Sequence, residues 1–120
     1  MIIDTHSHLN FKAFDQDREQ IIKQCQEKDI AIVNVGTSLI TSKKAIDIAQ
    51  NNKNMWASIG LHPIHLANKI VKLQDDENQE NPNDETDFDY QAYKELAQNP
   101  KVVAIGEIGL DYYYKPKNTG

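Results

Sequence analysis

The chain has 120 residues, 39% of them hydrophobic and 26% charged, which fits one soluble globular domain; with no apolar run near 20 residues, a membrane span is excluded. The formal net charge of -5 argues against a nucleic-acid partner only if it is spread evenly, because affinity for phosphates depends on basic residues. Seven acids lie between residues 74 and 87 without a lysine or arginine, which leaves 11 acids and 13 bases elsewhere, a balance compatible with a phosphate-bearing substrate.

Strands and helices are predicted to alternate along the chain. Apolar, β-favouring runs predict four strands, at residues 2–9, 30–36, 55–61 and 101–108. Three helices are predicted between them: one over residues 17–28, one capped by Thr41 or Ser42, and one capped by Asp87 or Asp89. Strands separated by helices form parallel sheets, so the predicted fold class is α/β.

The N-terminal residues and the cysteine content indicate the cellular compartment in which the chain is expected. Residues 1–6 include an acid at position 4 and no basic region, so neither a signal peptide nor a transit peptide is predicted. The single Cys25 cannot form an intrachain disulfide or a Cys-rich zinc cluster, and a small buried or half-buried thiol is expected. The expected location is the cytoplasm.

An acidic segment separates the third strand from the third helix. Residues 68–86 are rich in Asn, Asp, Glu and Gln and have too little apolar content to order themselves. We interpret them as a solvated, low-complexity insertion in the third βα loop. A catalytic role for their acids is the alternative.

The first motif that could carry chemistry is Asp4-Thr5-His6-Ser7-His8 in the first predicted strand. Alternate side chains of a strand share a face, so Asp4, His6 and His8 are expected on one side, the histidine Cα atoms roughly 6.5 to 7 Å apart. Both rings could bind one metal at about 2.0 to 2.1 Å, and Asp4 could orient a ligating ring or line the site. The alternative is a pair of partly exposed histidines with no ligand.

A second motif, Ala-Ile-Gly-Glu-Ile-Gly-Leu-Asp from Ala104 to Asp111, puts Glu107 at the end of an apolar strand. A buried carboxylate is costly unless it is paired, protonated or bound to a metal. A cation held by His6 and His8 would account for Glu107, and a salt bridge to a lysine at the sheet end is the alternative. Asp111 could line the same site or begin a turn.

The third motif, Gly60-Leu61-His62-Pro63-Ile64-His65, follows the third strand at the same edge of the sheet. His62 could bind a substrate phosphate or move a proton near neutral pH, a role that would make it catalytic. His65 is interpreted as an ordinary loop residue.

Taken in order, three segments resemble the signatures of the TatD-type metal-dependent hydrolases: residues 2–10, residues 60–63 and residues 104–112. Val35-Gly36-Thr37 also fits the pattern. Matching pieces run from Met1 to about Tyr114, so the resemblance is more specific than any single motif.

The resemblance implies a TIM (β/α)8 barrel of the amidohydrolase-like kind with two divalent metal ions, Mg, Mn or Zn, at its C-terminal edge. It implies that His6 and His8 bind one metal ion and that Glu107 bridges the two metal ions. The activity associated with the family is deoxyribonuclease, so DNA is the expected substrate. Some relatives are described as deacylases of mischarged tRNA, which leaves a hydrolase of ester or C–N bonds as an alternative.

The chain departs from the family in length. A complete barrel needs about 200 to 250 residues, whereas residues 1–120 are predicted to be one domain with the first four strands and three helices, a half barrel. The family's other ligands, two His and one Asp, come from later strands, so little nuclease activity is expected from this chain alone. A non-catalytic metal-binding or interaction fragment is the remaining alternative.

Two structural expectations follow. His6, His8 and Glu107 should converge, with the carboxylate within about 8 Å of the imidazoles, because metal–ligand distances leave little slack. A half barrel also exposes an apolar inner face and unpaired edges at its first and fourth strands. Self-association or pairing with a C-terminal half is therefore expected.

Overall fold

A computed structural model describes residues 1–67 and 87–110 of the chain. The predicted acidic insertion at residues 68–86 and Asp111 lie outside the described residues. Within the described part, four strands form one parallel sheet in the order β1-β2-β3-β4: β1 Ile2–Ser7, β2 Ile30–Val35, β3 Met55–Ile59 and β4 Val102–Ile105. The α-helices there are α1 Arg18–Glu27, α2 Leu39–Asn51, α3 Pro63–Ala67 and α4 Tyr90–Ala97, with a 3-10 turn at Lys12–Phe14. The α/β class is confirmed, and the arrangement corresponds to half of a TIM barrel.

Helices α1, α2 and α4 pack against the sheet, and the apolar faces of α1 and α2 contact the strands β2 and β3. Buried residues form two clusters, one of Leu9, Ile22, Ile32, Ile48, Ala49 and Met55, the other of Ala45, Ile46, Ala57, Ile59, Leu61 and Tyr93. Cys25 is half-buried against the first cluster, as predicted. None of the described helices is long and apolar enough to cross a membrane.

The strands end earlier than predicted. β1 stops at Ser7, β3 at Ile59 and β4 at Ile105, so His8, His62 and Glu107 lie just past their strands. Val103 is 55% exposed and Ile105 59% exposed, as expected for the apolar inner face and unpaired fourth strand of a half barrel. β4 is an edge strand, and no described element pairs with its outer edge.

The start of α2 also differs from the prediction, which placed its cap at Thr41 or Ser42. Ser38 is the cap: its Oγ accepts a hydrogen bond from Thr41 N at 3.1 Å, and Thr41 Oγ1 accepts one from Ser38 N at 2.9 Å. This reciprocal pair is a capping box, with Thr41 in the third helical position. The predicted cap at Asp89 is confirmed for α4, since Asp89 Oδ1 accepts a hydrogen bond from Ala92 N at 3.1 Å.

The short helix α3 was not predicted. It begins at Pro63, whose fixed φ suits the first helical position, whereas the sequence was interpreted as a loop after the third strand. His65 lies in this helix and is buried, so its interpretation as an ordinary loop residue is wrong.

Candidate metal centre

The two histidines of the first motif and the glutamate of the second meet at the C-terminal edge of the sheet. Ligand atoms of His6, His8 and Glu107 all lie within 4.8 Å of one another, and His6 Nε2 is 3.4 Å from Glu107 Oε1. Since β1 and β4 occupy opposite ends of the sheet, this contact requires the sheet to curve. The predicted convergence of the three residues is confirmed.

Glu107 reaches the histidines because the chain leaving β4 crosses the ends of the neighbouring strands. Gly106 N donates a hydrogen bond to Ile59 O at 2.8 Å, and Glu107 N donates one to Gly36 O at 3.2 Å. Gly60 permits this approach, since a Cβ there would lie 2.7 Å from Glu107 O and 2.8 Å from Gly106 C. Backbone contacts therefore carry Glu107 from the edge strand towards the middle of the sheet.

The pairing of β1 with β2 is irregular between Asp4 and Ser7. Asp4 pairs with Ile32 and Ser7 with Asn34, so three steps of β1 lie against two steps of β2 and strict alternation is broken. The expectation that Asp4 shares a face with His6 and His8 depends on that alternation and stays a prediction. The Asp4 carboxylate accepts a hydrogen bond from His6 N at 3.0 Å.

The His8 ring is held in one orientation. Its Nδ1 is 2.9 Å from Val35 O, and its plane stacks on Phe11 with the ring centroids 4.1 Å apart. Because a carbonyl oxygen only accepts, Nδ1 must carry the proton, which leaves the lone pair of Nε2 available to a metal.

Burial of the His8 ring lowers its pKa below the ordinary value of 6.5, because desolvation disfavours the charged form. The hydrogen bond to Val35 and the charge of Glu107 act in the opposite direction and are outweighed. His8 is therefore neutral at neutral pH, the form in which a histidine binds metal.

His62 stands beside this cluster with a different hydrogen-bond pattern. Its Nδ1 accepts a hydrogen bond from Ile64 N at 3.0 Å, and its Nε2 lies 3.8 Å from Glu107 Oε2. With Nδ1 occupied as an acceptor, Nε2 carries the proton of the neutral ring. His62 thus presents a donor, which suits contact with an anionic oxygen better than ligation of a metal.

The donor set fits a divalent cation. Two imidazole nitrogens and a carboxylate are common ligands of Zn²⁺ and Mn²⁺, while Mg²⁺ prefers oxygen ligands. The side chains of His6 and Glu107 are 55% and 32% exposed, so solvent or substrate can reach the site. Three protein donors would leave coordination positions open, as catalytic sites require.

Sequence reasoning missed two residues that build this site. Gly60 allows the close approach of the Glu107 backbone, and the buried Asn10 donates a hydrogen bond to Val35 O, which is also the partner of the His8 ring. Both stand inside motifs identified from the sequence. However, only the three-dimensional contacts distinguish them from ordinary turn residues.

Comparison with known proteins gives one family and several relatives. The family described as "TatD related DNase" matches residues 3–119. A Bacillus subtilis protein named "Uncharacterized metal-dependent hydrolase YabD" is 36% identical over 115 residues, which cover 95% of this chain and 39% of the relative. An Erwinia amylovora protein named "3'-5' ssDNA/RNA exonuclease TatD" is 27% identical over 113 residues, 92% of this chain and 38% of that protein. The chain thus spans well under half the length of these relatives.

Proposed function

We propose that this chain, which belongs to the family of TatD-related DNases, carries the first part of the metal site of a hydrolase that cleaves phosphodiester bonds in DNA. The observation that supports the proposal is the convergence of His6, His8 and Glu107, whose ligand atoms lie within 4.8 Å of one another. Support for a nucleic-acid substrate is more distant, because it comes from the name of a relative at 27% identity.

In this proposal His6 and His8 hold a divalent ion through ring nitrogens, and the Glu107 carboxylate joins them. When bound, such an ion supplies positive charge that polarises a phosphoryl oxygen and lowers the pKa of water. A two-ion site is proposed for the whole family barrel. The second ion would need ligands beyond these three residues.

The remaining side chains at this edge have roles that do not depend on ligation. His62 Nε2 carries a proton and lies 3.8 Å from Glu107 Oε2, so it is placed to donate a hydrogen bond to a phosphate oxygen. Asp4 fixes the backbone of His6 through its N–H and so holds the ring at the end of β1. Asp111 remains a proposed site residue outside the described part.

We also propose that β1 and β4 pair with the remaining strands of a family barrel. Apolar side chains are exposed on both edge strands, Ile2 at 68% and Ile105 at 59% among them. Exposed parallel strands rich in such residues are normally covered. The partner would be a C-terminal half barrel, and a second copy of this chain is the alternative that an oligomeric-state measurement distinguishes.

Metal binding is the direct test of the site. Titration of Zn²⁺ and Mn²⁺ into the purified chain, followed by calorimetry, should give one ion per chain. Glu107→Gln removes a charged ligand while keeping its shape. It should weaken metal binding at least about 100-fold, because removal of residues that only support a ligand already costs up to about 100-fold. Glu27→Gln makes the same chemical change on the exposed end of α1 and should not alter affinity. Equal affinity in all three proteins would refute the proposed site.

The substrate is tested separately. The chain alone should cleave single-stranded DNA only weakly with Mn²⁺, since loss of one metal from a two-metal reaction should cost at least about 10² to 10³ in rate. Fusion to the C-terminal part of a relative should restore cleavage, and Glu107→Gln should abolish it. A fusion that hydrolyses aminoacyl esters but not DNA would contradict the proposed substrate class. Robust cleavage by the chain alone, abolished by Glu107→Gln, would contradict its expected weak activity.

A further inference from the structure

Asn10 is a buried polar residue two positions after the ligand candidate His8. Its side chain is 1% exposed, and its Nδ2 donates hydrogen bonds to Val35 O at 3.1 Å and to Thr41 O at 2.9 Å. Among the described residues, its Oδ1 has no hydrogen-bond partner. The amide therefore acts here as a donor to two backbone carbonyls, one at the end of β2 and one in the first turn of α2.

One of those carbonyls is also the partner of the His8 ring. Val35 O accepts from His8 Nδ1 at 2.9 Å and from Asn10 Nδ2 at 3.1 Å. A carbonyl oxygen has two lone pairs, so both hydrogen bonds can form at once. This oxygen, together with the stacked Phe11 ring, orients the His8 ring, and Asn10 links the oxygen to α2 through the Thr41 carbonyl.

A second asparagine holds the same segment without touching that carbonyl. Asn34 is fully buried, and its Oδ1 accepts a hydrogen bond from Leu9 N at 2.9 Å. Asn34 therefore fixes the backbone beside His8, whereas Asn10 fixes the group to which the ring is bonded. Of the two, only Asn10 shares a hydrogen-bond partner with the ring.

We propose that Asn10 is a positioning residue of the metal site: by holding the Val35 carbonyl, it keeps the His8 proton on Nδ1 and directs Nε2 towards His6 and Glu107. The expected effect of Asn10 on metal affinity rests on the proposed metal site. Its expected effect on the tautomer of His8 does not depend on a bound metal. Residues that support a metal-ligating histidine typically change metal affinity by about 10- to 100-fold when removed.

The test is nitrogen NMR of the His8 ring in the metal-free, ¹⁵N-labelled chain at about pH 8, above the ordinary imidazole pKa of ~6.5. The wild-type protein should show one protonated and one unprotonated nitrogen, assigned as Nδ1 and Nε2. Asn10→Ala should shift both resonances towards the average of two tautomers. Asn52→Ala is the matched control, since Asn52 Nδ2 donates to Ile48 O at 2.9 Å near the end of α2, and the His8 resonances should stay unchanged.

Unchanged His8 resonances in a folded Asn10→Ala protein would overturn the proposal, as would a wild-type ring protonated on Nε2. If Asn10→Ala does not fold, couplings across hydrogen bonds in the wild-type protein decide the question. Val35 C=O should couple to both His8 Nδ1 and Asn10 Nδ2, and absence of the Asn10 coupling would overturn the proposal.

Zn²⁺ titration then separates the two proposals. Asn10→Ala should bind Zn²⁺ about 10- to 100-fold more weakly than the wild type, while Asn52→Ala should not differ. If the wild-type chain binds no metal but Asn10→Ala still changes the His8 tautomer, the proposed metal site fails and the positioning role stands. If metal binds and Asn10→Ala alters neither tautomer nor affinity, the positioning role fails alone.

Discussion

Replacing Gly60 by alanine should damage both the fold and the metal site, because this glycine lies against the backbone that carries Glu107. An added Cβ would be 2.7 Å from Glu107 O, whereas ordinary contacts begin at 3.4 Å, so the two backbones must separate by about 0.7 Å. The atoms it meets belong to the backbone and cannot rotate away. Forced rearrangements of this kind cost about 1 to 3 kcal/mol, a large part of the roughly 5 to 15 kcal/mol that stabilise a typical domain.

The same shift should weaken metal binding. Ligand distances in metal sites tolerate only about ±0.2 Å, and the Glu107 backbone would be displaced by more than that. Urea unfolding would measure the stability of Gly60→Ala, and calorimetric titration with Zn²⁺ would measure its affinity.

Gly106→Ala is the control, since a Cβ at Gly106 would meet only Ser58 Oγ, at 3.5 Å, an ordinary contact. It should lose far less stability than Gly60→Ala. Equal destabilisation by the two changes would refute the steric argument. So would a Gly60→Ala protein as stable as the wild type.

Three further expectations concern stability and association. Because burial lowers the pKa of His8 in the folded state, the contribution of His8 to the free energy of unfolding is complete above the ordinary pKa of 6.5 and is lost as the pH falls through the lowered pKa. Urea unfolding at several pH values should show this loss of stability, and the loss should be smaller in His8→Gln. Ser38→Ala should cost about 1 kcal/mol of unfolding free energy by removing the α2 cap, while Ser38→Asp, which keeps an acceptor, should stay close to wild type; equal stability of all three would contradict the capping role. Sedimentation should show association that increases with concentration and that Val103→Lys with Ile105→Lys reduces, because both side chains are exposed on the edge strand; a wild-type monomer at high concentration would contradict this.

Local sequence patterns were sufficient for the architecture. Nearly continuous β-branched runs such as residues 30–35 occur in strands buried on both sides, and Ala45, Ile46, Ile48 and Ala49 fit a helix with one apolar face. The end of each element was less certain. Ser38 and Thr41 both suit a helix cap, and their reciprocal hydrogen bonds, rather than residue type, identify Ser38 as the first residue of the capping box.

The three candidate ligands and their convergence were predictable from the sequence, but the contacts that support them were not. Alternation along a regular strand assigned Asp4 to the face of His6 and His8, but the pairing of β1 with β2 shifts by one residue between Asp4 and Ser7. Bulges depend on pairing with a neighbouring strand, which a single strand's sequence does not encode. The hydrogen bond from Asn10 to Val35 joins positions 25 residues apart, so it could not be predicted from a local sequence pattern either.

Metal binding and strand association should be separable properties of this chain. His6, His8 and Glu107 meet through contacts within one copy, since the segment after β4 is bonded to Ile59 and Gly36 of the same sheet. The exposed apolar residues expected to favour association, Val103 and Ile105, lie in β4 and precede the segment that carries Glu107. In the proposed site, binding of a first metal ion would therefore depend on the curvature of these four strands, whereas a second ion and efficient hydrolysis would depend on the partner proposed to cover the two edge strands.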